Sequence, residues 1–397
     1  MTAVGTALLA ITLAAVALGG DPNVAPADAW PMARGCLGGT GRSAATLALP
    51  LAEAWHREFD GTAFGAVPVI ADGVIYLGDL DGTFRAVSLA DGADRWSFVA
   101  TDAGFTSAAA IGTAGEARLI VVGDDGGLVR AFDAATGDVR WTHETQGEIS
   151  GGPTILDTPD GPRVLVGSQD ASLACLALAD GSLLWKHAIA DQIRCSPTVA
   201  RTSAGDRVLL AGCDGKLHVL DAATGDEQVA VPIDGPTGTT PAVLGDRVFF
   251  GTEGGVFFAI DVVAGKEAWR TAAAAAGQSY RSSAAIADGL AIVGFRGKAV
   301  EAFATADGSR AWRQPMRGRV EASPAVAVAT GPSGEPARSI AIVADASGRI
   351  AALSAASGEP AWEFDAGGGF GAGAAVAAGR VVLASDDGIL WCFRSGD

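Results

Sequence analysis

Asparagine is almost missing from this 397-residue chain: Asn23 is the only one. Positive charge is also short, with Lys+Arg 28 against Asp+Glu 45 and a net charge of −17. That balance argues against sequence-independent binding to nucleic acid, which needs basic patches. It argues equally against adsorption to anionic lipid, and it favours solubility without naming a partner. Histidine is scarce, and His56, His143, His187 and His218 show no metal-ligand spacing along the sequence. The five cysteines, Cys36, Cys175, Cys195, Cys213 and Cys392, include no adjacent pair and no CxxC. No G-x-S-x-G, P-loop or H-E-x-x-H motif occurs, and no stretch reads as a long amphipathic helix.

What is abundant is glycine, 55 residues, in a chain that is 49% hydrophobic. Much of it belongs to a repeat. AFDAATGDVRW, ending at Trp141, recurs whole or eroded seven times, closing at Trp96, Trp141, Trp185, Val229, Trp269, Trp312 and Trp362, 40 to 50 residues apart. Self-similarity at that period marks a propeller or solenoid, in which stacked units form one body. The Asp and Thr-Gly suit a tight turn between antiparallel strands, because Gly accepts positive φ and Asp or Thr bonds the local backbone. The Trp offers a large flat surface to a neighbouring blade, so Trp55, Trp96, Trp141, Trp185, Trp269, Trp312 and Trp362 read as structural docking residues. Upstream of each turn lie a short small-residue strand, a β-branched strand such as Val74-Ile-Tyr-Leu-Gly78, and a second Gly-bearing turn.

This repeat, A-x-D-x-x-T-G-x-x-x-W, resembles that of the pyrroloquinoline-quinone-type (PQQ-type) β-propellers. That family includes quinoprotein dehydrogenases and non-enzymatic members such as the lipoprotein subunit of the outer-membrane barrel assembly machinery. The resemblance covers about residues 51 to 394. The fold expected is an all-β, eight-bladed propeller of four-stranded antiparallel blades. The eighth repeat begins at Phe370 and stops at Asp397 before any outer strand, while Leu51–Phe59 places Trp55 where a closing Trp belongs. The N-terminal strand is therefore expected to complete the last blade and leave few open edges.

Three regions follow. Residues 2 to 20 are uncharged and resemble the apolar core of a secretory signal, with a membrane anchor as the alternative. Cys36 follows Ala33-Arg34-Gly35, which is not a lipobox. Residues 21 to 50 read as a Gly/Pro/Ala-rich linker, whose Trp30-Pro31-Met32-Ala33-Arg34-Gly35 resembles an element found ahead of the propeller in exported relatives and suggests docking of the chain onto it. Residues 51 to 397 are the propeller.

Equivalent positions in different blades form rings. The ring at the start of the inner strands runs Gly65, Thr106, Ser150, Arg194, Gly238, Arg281, Glu321 and Gly371, and its charges are Arg194, Arg281 and Glu321. They are candidate contacts for a ligand or partner at the channel mouth, since Arg presents a bidentate fork. The plainer reading is a solvated channel with an internal Arg281–Glu321 pair. Asp79-Leu80-Asp81-Gly82 faintly resembles a calcium loop, but Asp-Gly turns explain it better. Longer loops on the opposite face, around 112–117, 157–162, 201–206 and 330–338, are candidate partner contacts. Cys175, Cys195 and Cys213 fall in neighbouring blades, so one disulfide among them stays open; buried free thiols are the preferred reading, because Cys175 and Cys392 stand in the Ala column of the repeat.

Quinoprotein dehydrogenases, by resemblance, need a vicinal disulfide, an Asp base and Glu/Asn/Asp ligands for calcium. The missing Cys-Cys and the single Asn argue against pyrroloquinoline quinone with calcium. The expectation is a chain without cofactor, metal or catalytic residue: an exported, monomeric scaffold of the periplasm or cell envelope that binds protein partners and touches membrane only through residues 1–20. A quinoprotein dehydrogenase and a ligand-sensing propeller are the alternatives.

Overall fold

The computed structural model describes residues 21–273, 277–331 and 337–396. The stretch read as a signal or anchor, and residues 332–336 of the longest loop, lie outside the described residues. Among the described residues no helix is long and apolar enough to cross a membrane.

The strands form eight sheets, the blades of a propeller. Blades 1 to 7 each contribute four consecutive strands, from an inner strand at the axis to an outer strand at the rim. The inner strands are short: Val69–Ala71, Ala110–Ala114, Thr154–Leu156, Thr198–Thr202, Ala242–Leu244, Ala285–Ala287, Ala325–Thr330 and Ala375–Ala377. Small residues there let eight strands converge on the axis. The middle strands are apolar and buried on both faces, as in Arg163–Ser168 and Ser172–Ala177, whereas outer strands alternate exposed and half-buried residues, as in Leu183–Ala188.

The eighth blade is composite. Strand β2 (Leu51–Glu58) pairs antiparallel with Ile389–Ser395 and becomes its outer strand, with Trp55 opposite Cys392. Velcro closure therefore follows the expectation: the two ends of the chain share one sheet, and the ring closes without a covalent link.

One interaction joins successive blades. In each turn of the Thr-Gly type the glycine has positive φ, and the outer-strand residue of the preceding blade lies on it. A Cβ at Gly137 (φ +78°) would sit 2.6 Å from the Trp96 ring, and Gly181, Gly225, Gly308 and Gly358 are covered in the same way by Trp141, Trp185, Trp269 and Trp312. Trp55 covers Gly92 and so locks blade 8 to blade 1. Each of these six indoles also donates Nε1–H to a carbonyl of the covered turn, at 2.8–3.3 Å. The residue opposite each closing position is small: Ala86, Ala131, Cys175, Ala259, Ala302, Ala352 and Cys392 face Trp96, Trp141, Trp185, Trp269, Trp312, Trp362 and Trp55. All five cysteines are free thiols. Burial raises Cys175 to about 11 and Cys195 and Cys392 to about 12, which makes them inert packing groups.

Residues 21–50, expected as a linker, are a packed part of the propeller. Backbone groups of Ala27, Trp30, Pro31, Leu37, Gly38, Thr40 and Gly41 hydrogen-bond the inner strands of blades 8, 1, 2, 4, 5, 6 and 7, respectively. Ala33 lies against Gly152 of blade 3. Strand β1 (Arg42–Ala48) then adds to blade 7 in parallel, at the axial edge of Ala325–Thr330. The segment thus touches every blade and closes the channel at the end that carries the loops between first and second strands. The physical reason is that the inner edges leave unpaired backbone donors around the axis, and this segment accepts one from each of seven blades. Trp30 has no exposed surface, and Arg34 spans blades 6 and 7 through Nη2, which donates to Ala284 O at 2.9 Å and Pro324 O at 2.8 Å.

Two outcomes follow from closure and plug. A chain lacking residues 51–60 is expected to lose cooperative unfolding in calorimetry; melting like that of the intact chain would contradict the closure. Trp30→Ala should cost about 3–5 kcal/mol in denaturant unfolding, as for other fully buried large aromatics.

Candidate functional site

With one end of the channel closed, the propeller presents a blind mouth at the other. The ring there is solvent-facing: Gly65, Arg194, Gly238, Arg281 and Gly371 are exposed, and Thr106, Ser150 and Glu321 half-buried. Its three charges do not converge. Arg281 Nε pairs with Glu253 at 2.9 Å, and Glu321 is held by Arg296 Nε at 2.8 Å. The Arg281–Glu321 pair read from the sequence is therefore absent. Arg281 and Glu321 each pair instead with a residue of the neighbouring turn between second and third strands. Arg194 folds back on Gln192, donating from Nε and Nη2 at 3.0 and 2.6 Å.

The aspartates of these turns serve the turns themselves. Asp79 Oδ1 accepts the N–H groups of Asp81 and Thr83, and its other oxygen takes Arg85. Asp124 repeats this with Leu128 and Arg130. Asp345 accepts Ser347 N–H on one oxygen and Gly318 N–H, from the preceding blade, on the other. These are turn caps with structural partners, and no calcium loop is built from them. Burial and the neighbouring Asp387 and Glu321 raise the carboxyl of Asp386 above its ordinary range.

The ring of inner-strand starts at the mouth contains no cysteine, Cys213 stands on the adjoining turn near Arg194, and the single asparagine, Asn23, lies in the segment that closes the opposite end, against Gly38.

The opposite face carries a groove of about 820 Å³. The plug forms its floor through Pro22, Pro31, Met32 and Leu37, and two of the longer loops wall it with Asp157, Pro159, Arg201 and Asp206. The loop readings at 157–162 and 201–206 thus meet at one place.

Sequence spacing missed one grouping. His187, on the outer strand of blade 3, and His218, on Lys216–Asp221 of blade 4, lie together with Glu227. His218 is buried, its Nδ1 2.6 Å from Glu227 Oε2 and its Nε2 3.1–3.2 Å from the carboxylate of Asp214. His187 Nε2 is 3.7 Å from the same Glu227 oxygen. The signal that could have found them is blade register: Trp185 reaches blade 4, and His187 is two residues further along that strand.

If the mouth pairs are solvated surface contacts, Arg281→Ala should change unfolding free energy by less than about 1 kcal/mol. A loss several-fold larger, in the same denaturant titration, would make the Arg281–Glu253 pair part of the fold.

Comparison with known proteins matches the chain to the family described as outer membrane protein assembly factor BamB, over residues 48–144, 125–203, 198–323 and 296–397. No curated protein matches the sequence. Among solved structures, BamB from Moraxella catarrhalis is similar at 19% identity and a TM-score of 0.66, covering 87% of this chain and 97% of that one. The computationally designed Ika8 protein is similar at 16% identity and a TM-score of 0.69, covering 86% and 99%. The quinohemoprotein alcohol dehydrogenase of Comamonas testosteroni is similar at 14% identity and a TM-score of 0.70, covering 93% and 82%. At these identities the structures share the fold alone, whereas the overlapping family matches run from residue 48 to residue 397, so the chain belongs to the BamB family of PQQ-like β-propellers.

Proposed function

We propose that this protein is an exported, non-catalytic scaffold of the cell envelope that binds protein partners of outer-membrane assembly. The observation that carries the reading is the closed axis. A propeller's channel is its natural enclosed concavity for a small ligand. Here residues 25–41 close one end, and the charges around the other end are engaged by neighbours. What remains on offer is outer surface, which suits recognition of another chain. The family match adds weight, since the family is described by an assembly factor. Two sequence features also favour it: an apolar N-terminal stretch suited to export, and a net charge of −17 that keeps the body soluble.

The partner contact is assigned to the groove between the plug and blades 3 and 4. Its floor is apolar, with Pro22, Pro31, Met32 and Leu37, and its rim carries Asp157, Arg201 and Asp206. That chemistry fits an extended peptide segment with apolar side chains and polar flanks. The loops stand on rigid strands, so the geometry is preorganised.

Two measurements test the reading. A photo-activated cross-linker placed at Pro159 is expected to capture outer-membrane assembly proteins in intact cells, and one at Arg194 to capture them weakly or not at all. The reverse pattern would move the contact to the mouth. Calorimetric titration with pyrroloquinoline quinone, with and without calcium, is expected to give no heat. Micromolar or tighter binding would overturn the non-catalytic reading in favour of a quinoprotein dehydrogenase.

A further inference from the structure

We propose that His187, His218 and Glu227 form a binding site for a zinc-type divalent cation at the outer seam between blades 3 and 4. Their ligand atoms lie within 4.8 Å of one another. A tetrahedral zinc with bonds near 2.0–2.1 Å separates its ligands by about 3.3 Å, so small side-chain rotations bring the three to bonding distance.

The supporting contacts are those of a metal site. Asp214, itself buried, sits 3.1 Å from His218 Nε2. A ring nitrogen that donates to a carboxylate fixes the tautomer and turns the other nitrogen's lone pair toward the ion. That other nitrogen, Nδ1, faces Glu227 Oε2 at 2.6 Å, and His187 Nε2 approaches the same oxygen. A cation between His218 Nδ1, His187 Nε2 and Glu227 takes the place of the direct Nδ1–Glu227 contact and draws the second imidazole in.

Comparison between blades separates this from an ordinary ion pair. The position of His218, one residue before the small column, holds Arg85 in blade 1 and Arg130 in blade 2. Both pair with the turn aspartates Asp79 and Asp124, as His218 does with Asp214. The seam between blades 8 and 1 fills the positions of His187, His218 and Glu227 with Arg57, Arg85 and Asp94, an ion-paired set in which Arg57 bonds Asp94 at 2.7 Å. At the seam of blades 3 and 4 both guanidiniums are replaced by imidazoles, whose ring nitrogens can ligate a metal where a guanidinium cannot. His143, which matches His187 one blade earlier, has no such surroundings: Ala174 stands in blade 3 where His218 stands in blade 4, and burial, with Lys186 adding to it, lowers the proton affinity of His143. Two imidazoles and one carboxylate suit Zn²⁺ among common divalent ions, and the half-exposed Glu227 leaves the fourth position to water.

The test uses the purified chain, stripped with chelator and titrated with Zn²⁺ alone. One equivalent is expected to bind, with a rise in Tm that chelator reverses. Co²⁺ should substitute and give the intense visible bands of four-coordinate cobalt. His187→Ala and Glu227→Gln, both at partly exposed positions, should weaken zinc at least about tenfold, and Asp214→Asn by about 10- to 100-fold. His143→Ala is the control and should bind as the unaltered chain does. No saturable zinc binding by the intact chain would overturn the proposal, as would unchanged affinity in His187→Ala and Glu227→Gln together.

Discussion

An indole laid on a glycine holds this ring together. Each contact does two things at once. It buries a large apolar face against a turn that has no Cβ to obstruct it, and it caps a turn carbonyl that would otherwise be shut away from water. The glycine is needed twice, for its positive φ and for its missing side chain, which is why Thr-Gly and Trp recur together. Blades are thereby fastened at the rim, where they diverge, while short small-residue strands handle the crowding at the axis. The two departures are instructive. At the blade 4 to blade 5 seam, Val229 lies on Gly265 without a donor to offer. At the blade 7 to blade 8 seam no turn exists to receive Trp362, because the last outer strand comes from the other end of the chain. Trp362 packs edge-on against Phe393 instead, at 5.4 Å between ring centroids.

Features that repeat were legible in the sequence, and features that occur once were not. The blade count, the composite eighth blade and the role of Trp55 could be read because a column of seven or eight residues averages out local erosion. Trp30 to Gly41 has no column. Its bonds are made by backbone groups to the inner strands of six different blades, so nothing in its side-chain pattern announces a partner, and composition alone suggested a linker. The charges of the mouth failed for a different reason. Arg281 and Glu321 each pair with a residue of the neighbouring turn, a sideways neighbour that a column does not display, and Arg194 folds back on Gln192. His187 and His218 required one further step, the offset between adjoining blades, which the tryptophans supply once their contacts are known.

Fold similarity does not choose a function here, since one propeller architecture serves an assembly factor, a designed protein and an alcohol dehydrogenase. The choice rests on what fills the axis, and Arg34 is the residue to weigh. It is fully buried, and burial lowers its ordinarily very high pKa only to about 10, so it stays cationic at neutral pH. A buried guanidinium without a carboxylate is costly unless dipoles offset it. The carbonyls of Ala284 and Pro324 provide them through Nη2, at the inner strands of blades 6 and 7, while Nε and Nη1 find no hydrogen-bond partner among the described residues. A cation held this way tolerates little displacement, because moving it strands the charge. The plug is therefore a fixed part of the propeller.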